Sequence, residues 1–277
     1  MSTIPHDVPR HSAPLHDAER REFLPFVHEL AAVAAAVIRP YYLHGTAVEL
    51  KGDDTPVTAA DRRAEELMRL LIMQRYPDHG IVGEEWGEHQ PQASYRWVLD
   101  PVDGTKAFIS HCYLFGTLIA LLRDGRPVLG AVCSPLLGHV LVGLGGGETL
   151  LGERRMHTRA CAAIEQATLL TTGHWEMAAH RVGHAFEALS RRARLYRSWG
   201  DCHGYFQVAT GGADVMIDPS LQAWDICALV PVIEGAGGRV TAIDGGDPVT
   251  ARDLLACGDA ALHARLLDEL NGKVQLP

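Results

Sequence analysis

The chain of 277 residues has no Cys-x-x-Cys pair, although it carries six cysteines, at positions 112, 133, 161, 202, 227 and 257. Thiols scattered in this way argue against a zinc ribbon or a disulfide framework. They read as reduced, mostly buried side chains of a cytoplasmic protein. Basic charge is in deficit. Against 34 Asp and Glu there are 25 Lys and Arg, a formal net charge of −9, which argues against a protein that coats nucleic acid. Long apolar runs are missing as well. Ala31 to Ile38 is too short and too interrupted to span a bilayer. The first seventeen residues lack the apolar centre of a signal peptide and are expected to form a disordered tail. There is no internal repeat and no low-complexity segment. Fifteen His are present without a His-Glu-x-x-His, so most are expected at the surface. Gly143 to Gly147 does not satisfy Gly-x-Gly-x-x-Gly, which removes a dinucleotide reading. Cys202 and His203 are adjacent, project differently and have no phosphate loop around them, so a thiol nucleophile is set aside.

What is present suffices for a real core, with 47% hydrophobic residues. Residues 18 to 44 carry helical spacing through Phe23, Phe26, Val27, Leu30, Val33, Ala34, Val37 and Ile38, with Pro40 and Gly45 as stops. A second helix is expected from Thr58 to Tyr76, capped by Thr58 and ended by Pro77, with Ala64, Leu67, Met68, Leu71 and Ile72 on its buried face. Apolar runs at 117–122 and 127–133 flank Asp124-Gly125, a strong hairpin signal, and His139 to Leu144 extends this to an antiparallel meander. Near residue 155 the pattern changes to alternation. Strands are expected at 167–171, 194–197, 213–217, 239–243 and 253–256, and helices at 174–191, 201–211, 224–236 and 259–271. The chain therefore divides into a tail (1–17), an α+β half (18–154) and an α/β half (155–277) of one compact unit.

The most informative run is Trp97-Val98-Leu99-Asp100-Pro101-Val102-Asp103-Gly104-Thr105. It reads as a buried strand that Pro101 stops, with a turn that brings Asp100 and Asp103 to one side. Two carboxylates that close repel unless a proton or a cation lies between them. Hard oxygen ligands suit Mg²⁺. Gly104-Thr105 adds backbone N–H groups at the start of a helix, a cradle for an anion. Upstream lies Ile81-Val82-Gly83-Glu84-Glu85, and downstream Ala223-Trp224-Asp225-Ile226-Cys227-Ala228, followed by an apolar run to Gly238.

At these residues the chain resembles the inositol monophosphatase family of Mg²⁺-dependent phosphatases. Its signatures are a Gly-Glu-Glu, an Asp-Pro-Ile/Val-Asp-Gly-Thr, and a Trp-Asp before a helix with Glu-Ala-Gly-Gly near its end. Here the last reads Glu234-Gly235-Ala236-Gly237-Gly238, and the resemblance covers roughly residues 20 to 270. It implies a layered α-β-α-β-α sandwich, with two or three Mg²⁺ at the junction of its halves, Mn²⁺ as a substitute, and a homodimer. It implies Asp100 as a ligand bridging two cations, Glu84 on the first, and Asp103 and Asp225 on the second. Val102 would contribute its backbone oxygen. Gly104 and Thr105 would hold phosphoryl oxygens, with Asp103 and Asp225 close to the phosphate. Glu84 and the Thr105 hydroxyl would aim the attacking water. Taken singly, Asp225 also reads as a first-turn acid on its helix dipole and Thr105 as an N-cap. Trp224 is expected in the core. Glu85 is either a ligand or a hydrogen-bonding neighbour of one, and Trp86, where the family often has Ser, receives no role. The stretch Lys51 to Asp61 matches a mobile loop leading into a helix. Asp61 is an acid behind the ligands, a weak third-metal contact, or a stabiliser of its own helix, and Thr55 would orient the same water. The implied mechanism is in-line attack by metal-activated water with no covalent intermediate.

Four features resemble the histidinol-phosphate phosphatase branch: Lys106-Ala107-Phe108-Ile109, Phe115 to Leu121 with Pro127 to Gly130, Gly200-Asp201-Cys202-His203-Gly204-Tyr205, and Asp218 seven residues before Asp225. L-histidinol phosphate carries an ammonium and an imidazole, which makes Asp201 and Asp218 sensible partners, although either also reads as a turn or surface acid. Inositol 1-phosphate or another small sugar phosphate is the alternative substrate. A regulatory scaffold for RNA or the transcription machinery is the alternative of another class, opposed by the full ligand set and the acidic charge. No nucleic-acid or membrane partner is expected.

Overall fold

The apolar stripes of the helices and the alternating strands find their partners in stacked layers. The structure, a computed structural model, describes residues 10–45, 47–50 and 56–273. Helices α1 (Asp17–His44) and α2 (Ala59–Arg75) pack together and are connected through a short antiparallel pair, β1 (Val48–Leu50) and β2 (Pro56–Thr58). Then come β3 (Gly80–Gly83), β4 (Gly87–His89), β5 (Tyr95–Asp103), α3 (Thr105–Ile109), β6 (Gly116–Arg123), β7 (Arg126–Ser134), β8 (His139–Leu144), β9 (Thr149–Leu151) and β10 (Arg154–Met156). Among the described residues these strands form an eight-stranded sheet in the order β10-β9-β8-β7-β6-β5-β3-β4, antiparallel except where β3 runs beside β5. The rest of the chain supplies β11 (Thr168–Leu170), α4 (His174–Ala179), α5 (Gly183–Arg192), β12 (Leu195–Arg197), α6 (Asp201–Ala209), β13 (Val215–Asp218), α7 (Ala223–Ile226), α8 (Leu229–Gly235), β14 (Arg239–Thr241), β15 (Leu254–Cys257) and α9 (Ala260–Leu270). Its strands form a mixed five-stranded sheet in the order β12-β11-β13-β15-β14.

Period-two alternation assigns each sheet two apolar faces. Trp97, Leu99, Ile119, Leu121 and Ala131 pack with Phe23, Phe26, Leu30, Met68 and Ile72 of α1 and α2. Val98, Leu118, Ala120, Val132 and Leu141 face the other way, onto α6, α7, α8 and the inner face of the second sheet. Leu169, Val215, Ile217 and Leu255 meet Phe186 and Leu189 of α5 and Leu262, Leu266 and Leu270 of α9. The result is the α-β-α-β-α sandwich that the family resemblance implies.

Several local expectations change. Residues 10–16, expected as the end of a tail, are held in place. The backbone N–H groups of His11 and Ser12 donate to Glu234 at 2.7 and 3.0 Å, and those of Ala13 and Leu15 to the Pro127 and Gly145 carbonyls, both at 2.9 Å. Pro40 does not stop α1, which runs on to His44 and ends at Gly45 with φ +82°. At 28 residues α1 is also long and apolar enough to cross a membrane, contrary to the shorter run read from sequence, yet its apolar face is buried in the core. The helix expected at 174–191 is two helices, α4 and α5, and that at 224–236 is α7 followed by α8, with Pro231 inside α8.

The inner layer depends on glycine. A methyl group on Gly143 would lie 2.3 Å from the Pro231 carbonyl, and one on Gly130 2.1 Å from the Ala228 oxygen, because the start of α8 rests directly on β7 and β8. Packed interiors do not open to admit an extra methyl. Gly143→Ala is expected to lower unfolding stability by about 1–3 kcal/mol. Gly147→Ala, whose nearest neighbour would be 3.4 Å away, should change it by less than about 0.5 kcal/mol. Urea midpoints of the two variants measure the difference.

Candidate active site

On β5 the alternation that sends Trp97 and Leu99 toward α1 and α2 sends Val98, and with it Asp100, toward the layer between the sheets. Asp100 pairs with Leu118 and Asp103 with Gly116, so β5 carries one extra residue there, a bulge that lets both carboxylates turn to the junction. The bulge is pinned by side chains. Thr117 donates to the Pro101 carbonyl at 2.7 Å, the Val102 N–H to Asp100 at 3.0 Å, and the Thr105 hydroxyl to the Val102 carbonyl at 3.1 Å. Gly104 takes φ +86° at the N-cap of α3. A side chain there would press on Asp201, 2.9 Å away. Glycine is thus required for its conformation and for its crowded surroundings.

The other acids arrive on separate elements. Glu84 follows β3, its N–H bonded to the Leu99 carbonyl at 3.3 Å. The turn after it is gripped by Glu65 of α2, which is fully buried and accepts from the Glu85 and Trp86 N–H groups at 2.8 and 3.2 Å. A methyl on Gly83 would sit 1.9 Å from that carboxylate, which explains the glycine of Gly-Glu-Glu. Asp225 lies in the first turn of α7 and accepts from the Gln222 N–H at 2.7 Å, so helix capping and presentation to the junction are one arrangement. At the start of α6, Asp201 has φ +48°, a conformation that Asp tolerates better than most residues. Its N–H donates to the Thr172 hydroxyl at 2.8 Å, that hydroxyl donates to Asp218 at 2.8 Å, and the Thr172 N–H donates to Asp218 at 2.7 Å. The next residue, Cys202, donates its N–H to Asp103.

Asp100, Asp103 and Asp225 each offer an oxygen such that all three lie within 4.8 Å of one another. Burial pushes Asp100 well above the ordinary carboxylate range, and the charges of Glu84, Asp103 and Asp225 push it further. Asp103 is raised first by burial and then by Asp201 and Asp225, against the Cys202 N–H. Burial likewise raises Asp225 to about 6, with the Gln222 N–H opposing. Asp201 is raised to about 6 by burial, with Lys106 opposing. Carboxylates that bind protons this firmly when close together are a donor set short of positive charge. An all-oxygen set with a backbone carbonyl beside it fits a hard divalent cation.

These residues line an open cavity of about 720 Å³, together with Val102, Gly104, Thr105, Lys106, Thr172, Ser220, Gln222 and Trp224. The structure thus gathers Glu84, Asp100, Val102, Asp103, Gly104, Thr105, Asp201 and Asp225. Asp218 is not among the residues lining this cavity. It is 1% exposed, raised to about 7 by burial, and engaged by Thr171, Thr172 and Tyr205. Asp61 is 1% exposed, caps α2 by accepting from Thr58, and is not among the cavity's lining residues. Trp224, expected in the core, is partly buried against it and also lines the cavity. Lys51 and Thr55 lie outside the described residues. Sequence reasoning missed Glu65, Thr172, Lys106 and Gln222 as parts of the site. Only Lys106, directly after Asp-Gly-Thr, stood next to a signal.

Residues 19–275 match the model of the inositol monophosphatase family. The bifunctional phosphatase IMPL2 of Arabidopsis thaliana chloroplasts is 37% identical over 267 residues, covering 92% of this chain and 77% of that protein. A histidinol-phosphatase of Chlorobaculum parvum is 36% identical over 235 residues, covering 82% of this chain and 91% of its own. Among solved structures, an inositol monophosphatase from Zymomonas mobilis superposes with a TM-score of 0.81 at 37% identity, covering 91% of this chain and 98% of that one.

The cluster makes a prediction in stability. Between the ordinary carboxylate value of 3.8 and the raised value of about 6 for Asp225, the folded protein holds protons that the unfolded chain has released. Without metal, stability therefore falls as pH rises through that window. A cation that displaces those protons stabilises more at high pH. Saturating Mg²⁺ is expected to raise the melting temperature by about 5 °C or more near pH 8 and by much less near pH 5. In chelator near pH 8, Asp100→Asn should melt above the wild type. Differential scanning calorimetry reads both.

Proposed function

The chain belongs to the inositol monophosphatase family and is a phosphoric monoester hydrolase, and from that premise we propose that it hydrolyses L-histidinol phosphate to L-histidinol and phosphate with Mg²⁺. The observation that carries the choice of substrate is the place of Asp201. Its carboxylate stands against Gly104, at the start of the phosphate cradle. In histidinol phosphate the ammonium is on the carbon next to the ester-bearing carbon. A phosphate held at Gly104 and Thr105 therefore brings a cation to Asp201, a charge-assisted pair. The similarity to histidinol-phosphatases of Chlorobaculum parvum, Mycobacterium tuberculosis and Streptomyces coelicolor, at 33–36% identity, supports the same substrate.

In this reading Asp100, Asp103, Asp225, Glu84 and the Val102 carbonyl hold two or three divalent cations, Mn²⁺ serving as a substitute. When bound, the cations supply a water that ionises near neutral pH and a Lewis acid for the phosphoryl and departing oxygens. Glu84 and the Thr105 hydroxyl aim that water. The Thr105 oxygen keeps lone pairs free for this while its proton is given to Val102. The Gly104 and Thr105 amides hold phosphoryl oxygens, and Lys106 adds positive charge beside them. Asp61 acts at one remove, through the start of α2. Because its oxygens are engaged by Thr172, Asp218 orients Asp201 rather than meeting the substrate itself.

A second reading, inositol 1-phosphate, is favoured by the 37% identity with the Zymomonas mobilis inositol monophosphatase. A homodimer accords with both. Trp175 and Trp199 are 78% and 41% exposed, large apolar side chains that a second copy would cover. All six cysteines are free, which suits the reducing cytoplasm.

Phosphate release from purified protein tests the proposal. Histidinol phosphate is expected to be hydrolysed with a kcat/KM well above that for inositol 1-phosphate, and the reverse order overturns the substrate assignment. Asp103→Asn and Asp225→Asn should each lower kcat by about a hundredfold or more with the fold retained. Activity near that of the wild type at saturating Mg²⁺ would remove that residue from the ligand set. Light scattering at micromolar protein should give the mass of two chains, and a monomer mass would overturn the dimer.

A further inference from the structure

A second cavity, of about 350 Å³, opens off the first and shares with it Asp103, Lys106, Thr172, Asp201, Ser220 and Asp225. Its far wall is of another kind. Leu118, Leu221, Tyr205 and Pro219 make it apolar, and two acids line it as well, the buried Asp218 and, at its solvent-exposed rim, Glu176. Asp218 is already engaged by threonine and tyrosine donors. Glu176 is the contrast. Among the described residues its side chain makes no hydrogen bond and no ion pair. It lies in the first turn of α4 and folds back over the N-cap, so that a methyl on Gly173 would come within 2.1 Å of its carboxylate oxygen. Glycine at 173 therefore leaves room for this acid where it borders the cavity.

We propose that Glu176 is a specificity-determining residue that accepts a hydrogen bond from the imidazole of the substrate's alcohol part. The inference rests on the histidinol-phosphate reading above and extends it to the far end of the molecule. An imidazole has apolar faces and an N–H edge. The aliphatic and aromatic side chains of the wall suit the faces, and an acceptor with unused lone pairs suits the edge. Near neutral pH the ring is largely neutral and still donates one N–H, and protonation strengthens the same contact. The division of labour is definite: Asp201 meets the ammonium beside the ester, and Glu176 meets the ring beyond it. Apart from Asp201, which the ammonium takes, Glu176 is the carboxylate lining this cavity that is both outside the cation cluster and free of donors among the described residues.

The test compares two phosphate esters on the Mg²⁺-loaded enzyme. Histidinol phosphate carries the ammonium and the imidazole, and phosphoethanolamine carries the ammonium alone. Glu176→Ala, which removes the acceptor, should lower the ratio of kcat/KM for histidinol phosphate to that for phosphoethanolamine by roughly tenfold or more, through KM. Gly173→Ala keeps the charge but displaces the carboxylate, and should lower the same ratio by a smaller factor. Asp201→Asn should depress both substrates together and leave the ratio near that of the wild type. An unchanged ratio in Glu176→Ala, with histidinol phosphate still well hydrolysed, overturns the role of Glu176 and leaves the substrate assignment standing. A wild type that does not hydrolyse histidinol phosphate overturns the substrate assignment and this inference with it.

Discussion

Like charges brought together out of water are the constraint on which the rest of this structure depends. Asp100, Asp103 and Asp225 converge within 4.8 Å at the junction of two sheets, and the charge of Glu84 bears on Asp100 as well. Left alone, such a group resists burial and keeps protons that exposed carboxylates release. It persists because each member is held by bonds that do not depend on the others. Asp100 is tied by the Val102 N–H, Asp103 by Cys202, Asp225 by the cap of α7, and the Glu84 turn by Glu65. The repulsion is the counterpart of affinity for a cation, since the folded scaffold has already brought the ligands together.

The layers supply that rigidity. Strand β5 is central in the large sheet and ends at the interface with the second one, so its last residues emerge between two packed cores. Gly130 and Gly143 let α8 settle directly on the large sheet, which brings α7 and Asp225 up to the end of β5. From the other side, the path Asp218–Thr172–Asp201 carries the position of β13 into the mouth of the cavity. Catalytic geometry here is a consequence of how closely two halves of one chain are packed.

How much of this was legible in the sequence follows from the range of the interactions. Asp100 to Thr105 is one continuous turn whose composition forces its geometry, and it was readable as a place where carboxylates converge. Glu84 and Asp225 were readable because each follows a short motif of its own. The elements followed from helical and strand periodicity, and their arrangement in five layers from the family resemblance. What was hidden is non-local. Nothing near Glu65 announces that its carboxylate passes over Gly83, eighteen residues on in the chain. Asp218 has the right spacing to Asp225 for a substrate contact, yet its oxygens are taken by Thr171 and Thr172, from the loop that follows β11. The breaks between α4 and α5, and between α7 and α8, fall in stretches whose apolar spacing looks continuous. Residues 10–16 looked like a tail because their partner, Glu234, lies more than two hundred positions away.

The central claim is that the acidic junction at the end of β5 is a site for divalent cations. Anomalous diffraction from crystals soaked in Mn²⁺ tests it most directly. The account predicts anomalous peaks between Asp100, Asp103 and Asp225 and beside Glu84, lost in the Asp100→Asn variant. Mn²⁺ bound elsewhere with this junction empty would contradict it.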